Sequence, residues 1–254
     1  MRTILVAIVL SAGGLLGQGG GRGGAPQAPQ TGRAAAPIDL TGTWVSLIVD
    51  EWRFRVTPQK GDLPYLPLNP EARKIANAWD PAKDEAEGNA CKAYGAVGVM
   101  QRPGRLRISW ENDNTLKIEA DAGTQTRQLR FGSPPAQKSD PSWQGTSVAQ
   151  WEFAGANIGG RRGAAAPANR NGQLKVVTTN LKPGYLRKNG VPYSANAVQS
   201  EYFTLLTGAQ GEPYIAVTAF LEDPAYLTGP FIRTYTFKKQ ADGAGWDPTP
   251  CLTK

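Results

Sequence analysis

The chain has 254 residues, a net charge of +7 and 40% hydrophobic residues, enough for one sizeable core once its polar stretches are set aside. The positive charge is scattered without a run of five like charges. It therefore speaks for solubility and loose affinity for anionic surfaces, and against a nucleic-acid reader, which clusters cations with aromatics in one motif. Histidine is absent, which removes Ser-His-Asp and Cys-His catalysis and the usual zinc and copper sites, and leaves any chemistry to Asp, Glu, Tyr, Lys, Arg, Ser or Thr.

Residues 1–18 read as a secretory signal peptide: Arg2, an apolar run from Ile4 to Leu10, then small residues. The stretch Ile4–Leu16 is broken by Gly13 and Gly14 and falls short of the roughly 20 residues of a spanning helix, so no transmembrane segment is expected in the mature protein; an uncleaved anchor is the alternative. No Cys follows the run, which argues against a lipid anchor. Residues 19–36 are Gly, Ala, Pro, Gln and Arg with almost nothing to bury, the composition of a flexible tether. Residues 37–254 then form a single β domain.

The domain opens on Asp39-Leu40-Thr41-Gly42-Thr43-Trp44-Val45-Ser46. Gly42 turns the backbone inward and the Trp44 ring plugs one end of a small closed sheet. The next run, Trp52-Arg53-Phe54-Arg55-Val56, alternates apolar and basic residues and predicts a second strand with one face of each kind. Asn69-Pro70-Glu71 is a helix start, with Asn as cap and Pro at the first helical position, and the helix runs to about Trp79. Pro81–Glu87 allows another short helical turn. Cys91–Met100, rich in Gly and Ala, carries no pattern that assigns it.

From there alternation is regular. Arg105–Trp110, Thr115–Asp121 and Thr124–Phe131 form a three-stranded meander. Trp143–Phe153 is a strand kinked at Gly145. Residues 154–172 read as a disordered insertion. Strands follow at Gln173–Thr179, Ala197–Leu206, Tyr214–Leu221 and Phe231–Lys239, and the loop Leu181–Asn196 intervenes. The pattern predicts an all-β, antiparallel, lipocalin-like (calycin-type) barrel of about 8–10 strands with one short helix near the start; a two-sheet β-sandwich is the alternative. In an exported chain, the pair Cys91 and Cys251 most often forms one disulfide; two free thiols fit an oxidising compartment poorly.

Gly42-Thr43-Trp44 resembles the Gly-x-Trp opening of the lipocalins and their relatives. Together with Gly184-Tyr185-Leu186-Arg187-Lys188-Asn189-Gly190-Val191-Pro192-Tyr193-Ser194 and Glu222-Asp223-Pro224-Ala225-Tyr226-Leu227-Thr228-Gly229-Pro230-Phe231, it makes most of Asp39–Cys251 similar to uncharacterised exported lipocalin-like β-barrel proteins of acidobacteria and related environmental bacteria. The resemblance implies a secreted or periplasmic barrel and brings no activity. The Glu-Asp-Pro segment is shared with other lipocalin-like domains and reads as architectural. Members of the group often carry His where this chain has Asn180, so a mechanism needing an imidazole there does not transfer.

For chemistry, Glu51, Glu152, Glu201 and Glu222 are the acid/base candidates; the bland reading is a solvated strand or turn residue for each. Arg53, Arg107 and Arg127 form a cationic pocket if they point inward and a charged outer face if they point outward; alternation with Trp52, Phe54, Leu106 and Ile108 favours outward. Trp44, Trp52, Trp110, Trp143, Trp151, Tyr202, Tyr214 and Tyr235 are core or cavity lining. The loop Tyr185–Ser194, with Arg187 and Tyr193, is a candidate mouth or a proline-stiffened turn. Trp44, Trp52, Trp110, Trp151, Tyr185, Arg187, Tyr193 and Tyr202 are thus the candidate ligand-binding residues. No metal site or cofactor is expected. No phosphate-binding Gly loop or nucleophile elbow is present, and nucleic acid is not an expected partner. Three functions fit: a secreted or periplasmic barrel binding a small, partly apolar ligand; a His-independent isomerase, cyclase or hydrolase working through carboxylate and Tyr; and an extracytoplasmic interaction module without a small ligand. Oligomeric state is not legible.

Overall fold

A computed structural model describes residues 30–49, 52–56, 58–133, 140–153 and 171–253. Eleven strands occur among them: β1 Gly42–Leu47, β2 Arg105–Asn112, β3 Thr115–Ala120, β4 Gln125–Phe131, β5 Thr146–Phe153, β6 Gly172–Thr179, β7 Gly184–Arg187, β8 Val191–Tyr193, β9 Val198–Thr207, β10 Pro213–Glu222 and β11 Phe231–Gln240. Nine of them close into a barrel in the order β1-β11-β10-β9-β6-β5-β4-β3-β2, and β7 and β8 pair separately. The expected all-β barrel is therefore present, and the sandwich is not. Its neighbours are antiparallel except β4 and β5, which run parallel over Leu129–Phe131 and Ser147–Ala149. A parallel step needs a long connection, and the sequence leaves room for one between Phe131 and Thr146.

Alternation sorts each strand into an inward and an outward set. The inward set builds one core around Trp44, Leu106, Ile108, Leu116, Ile118, Leu129, Leu174, Val176, Phe203, Ile215, Val217, Tyr235 and Phe237. Trp44 is completely buried, and its indole Nε1 donates to Leu40 O at 3.0 Å, so the ring fills space without stranding its one polar atom. Full burial of side chains of this size stabilises by about 1.5–3 kcal/mol each. At one end Trp110, Phe131 and Trp151 stack in sequence, with centroids 5.5 and 5.4 Å apart. The end of the stretch read as tether lies here: Trp151 Nε1 donates to Gly32 O at 2.6 Å, and Gly32 N donates to Asn114 Oδ1.

The other end is capped by a second core, which packs Leu66, Ala72, Ala76, Val97, Leu186, Val191, Tyr193 and Phe231 together. Helix α2 (Pro70–Ala78) carries the expected cap, Asn69 Oδ1 accepting from Ala72 N, and α3 (Pro81–Ala86) follows it with Asp80 in the same role. The stretch that carried no pattern forms two 3₁₀ turns, Ala90–Ala93 and Val99–Gln101, and Ala93–Arg102 is buried throughout. Its Gly/Ala composition follows from that. A Cβ on Gly95 would lie 2.5 Å from Trp143 O, and one on Gly98 would run into Ala93 O. Backbone packs on backbone, so larger residues have no room.

One predicted strand is a helix. Trp52–Val56 forms α1. Both edges of β1 are taken, by β2 and β11, so a strand directly after it has no partner left. A five-residue run fits either period, and as a helix it sends Arg55 inward while Trp52 and Val56 stay exposed on one side, four residues apart.

The bridge Cys91–Cys251 ties the first 3₁₀ turn to the C-terminal tail, as expected. Residues 1–18 and most of the insertion (154–170) lie outside the described residues; Gly172 already belongs to β6. Among the described residues no helix is long and apolar enough to cross a membrane.

Candidate functional site

Two features converge at the capped end. The first is a groove. β11 runs back to Phe231, but β1 stops at Leu47, opposite Thr236, so among the described residues β11 has no strand neighbour on that side from Phe231 to Tyr235. The resulting groove has a volume of about 290 Å³ and is lined by Leu47, Val49, Ile232, Thr234, Tyr235 and the cations Arg55 and Arg233. It is apolar along one wall and cationic at its base.

The second feature is a group of buried guanidinium groups behind that base. Arg55 donates from Nε to Gln101 O at 3.1 Å, from Nη1 to Leu47 O at 3.1 Å and from Nη2 to Met100 O at 3.5 Å. It thereby satisfies carbonyls at the end of the 3₁₀ turn and of β1, and its Cζ lies 5.4 Å from the Tyr235 ring centroid. Arg187, 1% exposed, lies over the ring of Phe54 at 4.4 Å. Arg102, 5% exposed, ends the 3₁₀ turn; its Nε and Nη2 are buried and have no hydrogen-bond partner. Burial pushes its pKa down to about 10, and the charges of Arg55 and Arg187 add to the drop, against an opposing pull from Tyr94 and Tyr235.

A contrasting arginine sits in the barrel interior. Arg127 grips Glu201 with both arms, Nη1 to Oε1 at 3.0 Å and Nη2 to Oε2 at 2.6 Å; Thr178 and Ser147, hydrogen-bonded to each other at 2.8 Å, lie beside the pair. The inward direction corrects the outward expectation for Arg127. The signal was in its own strand: Arg127 shares parity with Leu129 and Phe131, both packed inward. Arg107 does face outward, over the Trp246 ring at 4.1 Å, and Arg53 is exposed and paired with Asp62 at 2.8 Å.

The candidate ligand residues do not gather in one place. Trp44 lies in the barrel core, and Trp110 and Trp151 close the end opposite the cap. Trp52 is exposed on α1. Tyr202 lies on the outer wall, edge-on to Phe220 at 5.7 Å and with Lys175 5.5 Å over its ring. Tyr185, Arg187 and Tyr193 belong to the β7–β8 hairpin, which folds over the barrel end instead of forming an open mouth. Leu186, Arg187 and Val191 are at most 1% exposed. Tyr185 OH donates to Asp84 Oδ2 at 2.7 Å; Trp79 Nε1 and Lys92 Nζ donate to the same carboxylate. Burial, with that hydrogen bond second, pushes the Tyr185 phenol pKa up, and burial alone does so for Tyr193, whose hydroxyl has no partner. Only Arg187 of the eight joins the guanidinium group.

Of the carboxylates, Glu201 is held by Arg127, Glu152 accepts from Gln173 at 3.0 Å and pairs with Lys175 at 3.4 Å, and Glu51 lies outside the described residues. Among the described residues no group of three His, Cys, Asp or Glu is placed to hold a metal ion. Arg55 and Arg102 were not legible as site residues. The available signal was a cation closing a Gly/Ala-rich run at Gln101-Arg102-Pro103. No protein-family model matches the chain, and no curated protein matches it.

Proposed function

We propose that the chain is an exported barrel, secreted or periplasmic, that binds a small, partly apolar ligand in the groove beside β11, and that it belongs with the lipocalin-like exported proteins it resembles. The observation that carries this reading is the groove itself: Leu47, Val49 and Ile232 supply an apolar wall directly against the Arg55 and Tyr235 base. A disulfide across the chain fits an oxidising compartment. Apolar walls with a few convergent polar groups are the usual make-up of small-ligand sites.

The test is native mass spectrometry of the processed protein purified from an oxidising compartment, with Ile232→Asp alongside. A co-purified mass that leaves on denaturation, and is lost in Ile232→Asp, is expected. A bare protein that also fails to bind medium-chain alcohols and carboxylates overturns the reading.

A second reading, an interaction module, has its own observation. Val49 is 74%, Trp52 60% and Val56 49% exposed, an apolar surface at the groove's edge. Under it, a Trp52→Ser variant loses association with a macromolecule while Ile232→Asp keeps it.

A further inference from the structure

We infer that the ligand of this groove carries an oxyanion, a carboxylate or a group of like chemistry, and that Arg102 is the residue that holds it.

The inference deepens the small-ligand reading and rests on it for the apolar half of the molecule. Its own basis is the set of donors at the capped end. Arg102 buries two guanidinium nitrogens without a hydrogen-bond partner. A buried donor left unsatisfied is costly, and a buried unpaired cation more so. Native folds accordingly pair such groups.

The candidates for an internal partner are few. Asp84, Asp121, Asp223 and Glu201 are the buried carboxylates among the described residues. Asp84 accepts from Trp79, Tyr185 and Lys92; Asp121 Oδ1 accepts from Arg105 N and Ala122 N. Asp223 accepts from Ser194 N and Oγ, and Glu201 from Arg127. None of them is among the groups whose charge acts on Arg102.

Among the described residues, the groups that do act on it are Arg55, Arg187, Tyr94 and Tyr235, two cations and two phenols. Arg55 and Tyr235 line the groove, and Arg55 holds the carbonyl of Gln101, the residue before Arg102, so the chain at Arg102 lies behind the groove's polar base. Arg55 already donates to three backbone carbonyls, whereas Arg102 keeps two buried guanidinium nitrogens without a hydrogen-bond partner. A guanidinium presents those donors in a planar fork that matches an oxyanion. The apolar wall takes the rest of the ligand.

Two binding measurements separate this inference from the reading beneath it. In the first, decanoate and decanol are titrated into the full chain, its Arg102→Met variant and its Arg102→Lys variant, by calorimetry. Decanoate is expected to bind the native chain about tenfold or more tighter than decanol, and Arg102→Met to remove that difference while decanol affinity stays. Arg102→Lys, a point charge in place of a fork, falls between. Equal affinity for the two probes in the native chain, or an undiminished preference in Arg102→Met, overturns the inference and leaves the groove reading standing.

The second measurement needs no apolar tail. Sulfate, against chloride at matched ionic strength, is expected to raise the native chain's melting temperature by about 2–5 °C and to leave Arg102→Met unmoved. Sulfate stabilisation of the native chain alone, with neither decyl compound bound, removes the groove reading and keeps the oxyanion site. Equal sulfate effects on both proteins mark an adventitious ion only and count against the site. Circular dichroism of each variant confirms that it is folded before either result is read.

Discussion

Arg127 in the barrel interior and Arg102 at the capped end are buried almost equally, at 2% and 5% exposed, and meet opposite surroundings. Arg127 has a carboxylate on both arms. Among the described residues, the groups whose charge acts on Arg102 are two other guanidinium groups and two tyrosines, with no carboxylate. Burial alone does not tell a structural charge from one waiting for a partner; the sign of the neighbours does. The ion pair in the barrel interior holds both arms of its arginine, while Arg102 at the capped end has two buried nitrogens without a hydrogen-bond partner.

The widest test of that contrast is Arg127→Met. It leaves Glu201 buried without its cation and should cost about 3–5 kcal/mol in urea unfolding. Arg127→Met combined with Glu201→Leu should recover most of the loss, because no lone charge remains; a double variant as unstable as the single one would break the comparison. Removing the bridge with Cys91→Ala and Cys251→Ala should cost about 2–5 kcal/mol, since it closes a loop of 160 residues, and it should loosen the capped end before the interior by hydrogen exchange.

Arg102→Met should move the other way and stabilise by about 1–3 kcal/mol, read as a higher urea midpoint at unchanged slope. Its pH dependence has a defined sign. The folded-state pKa of Arg102, about 10, is below its ordinary value, so the destabilisation is complete below pH 10 and is relieved as pH rises above it. The gain in Arg102→Met over the native chain should therefore be full at pH 8 and shrink above pH 10. The smallest effect belongs to Trp52→Ser, which should change stability by no more than about 0.5 kcal/mol, because most of the side chain is exposed. A larger loss would mean that α1 holds the capped end in place.

What the sequence told about the two regions differs for a physical reason. The barrel was legible because period-two alternation writes a strand's buried face directly: β2 to β4 lie within two residues of their predicted ends, and Trp44 plugs the sheet that Gly42-Thr43-Trp44 announced. The helix after Asn69-Pro70 was legible from its cap. The capped end was not. Trp52–Val56 fits two periods at once, and what decides between them is that β1 has no edge to spare. Ala93–Arg102 has no periodicity because it is buried on all sides, with small residues wherever backbones meet. Glu201 and Arg127 lie 74 residues apart in sequence, and only barrel closure brings them together. What marks Arg102 is its burial in the fold, which no local pattern announces.

The place of β1 in the barrel sets the order of assembly. Thr43 pairs with Gln240 and also with Arg107, so the first strand to be made waits for the last before the sheet can close. Until then β11 shows an open edge and the Trp44 ring has no floor to enter. A chain that pairs across nearly 200 positions folds slowly for its size, because the entropy of closing that loop is lost before the contact rewards it. Throughout that wait its unpaired strand edges and exposed aromatics invite association with other copies, so the hazard in making this protein lies in the interval before closure and grows with the concentration of unfinished chains.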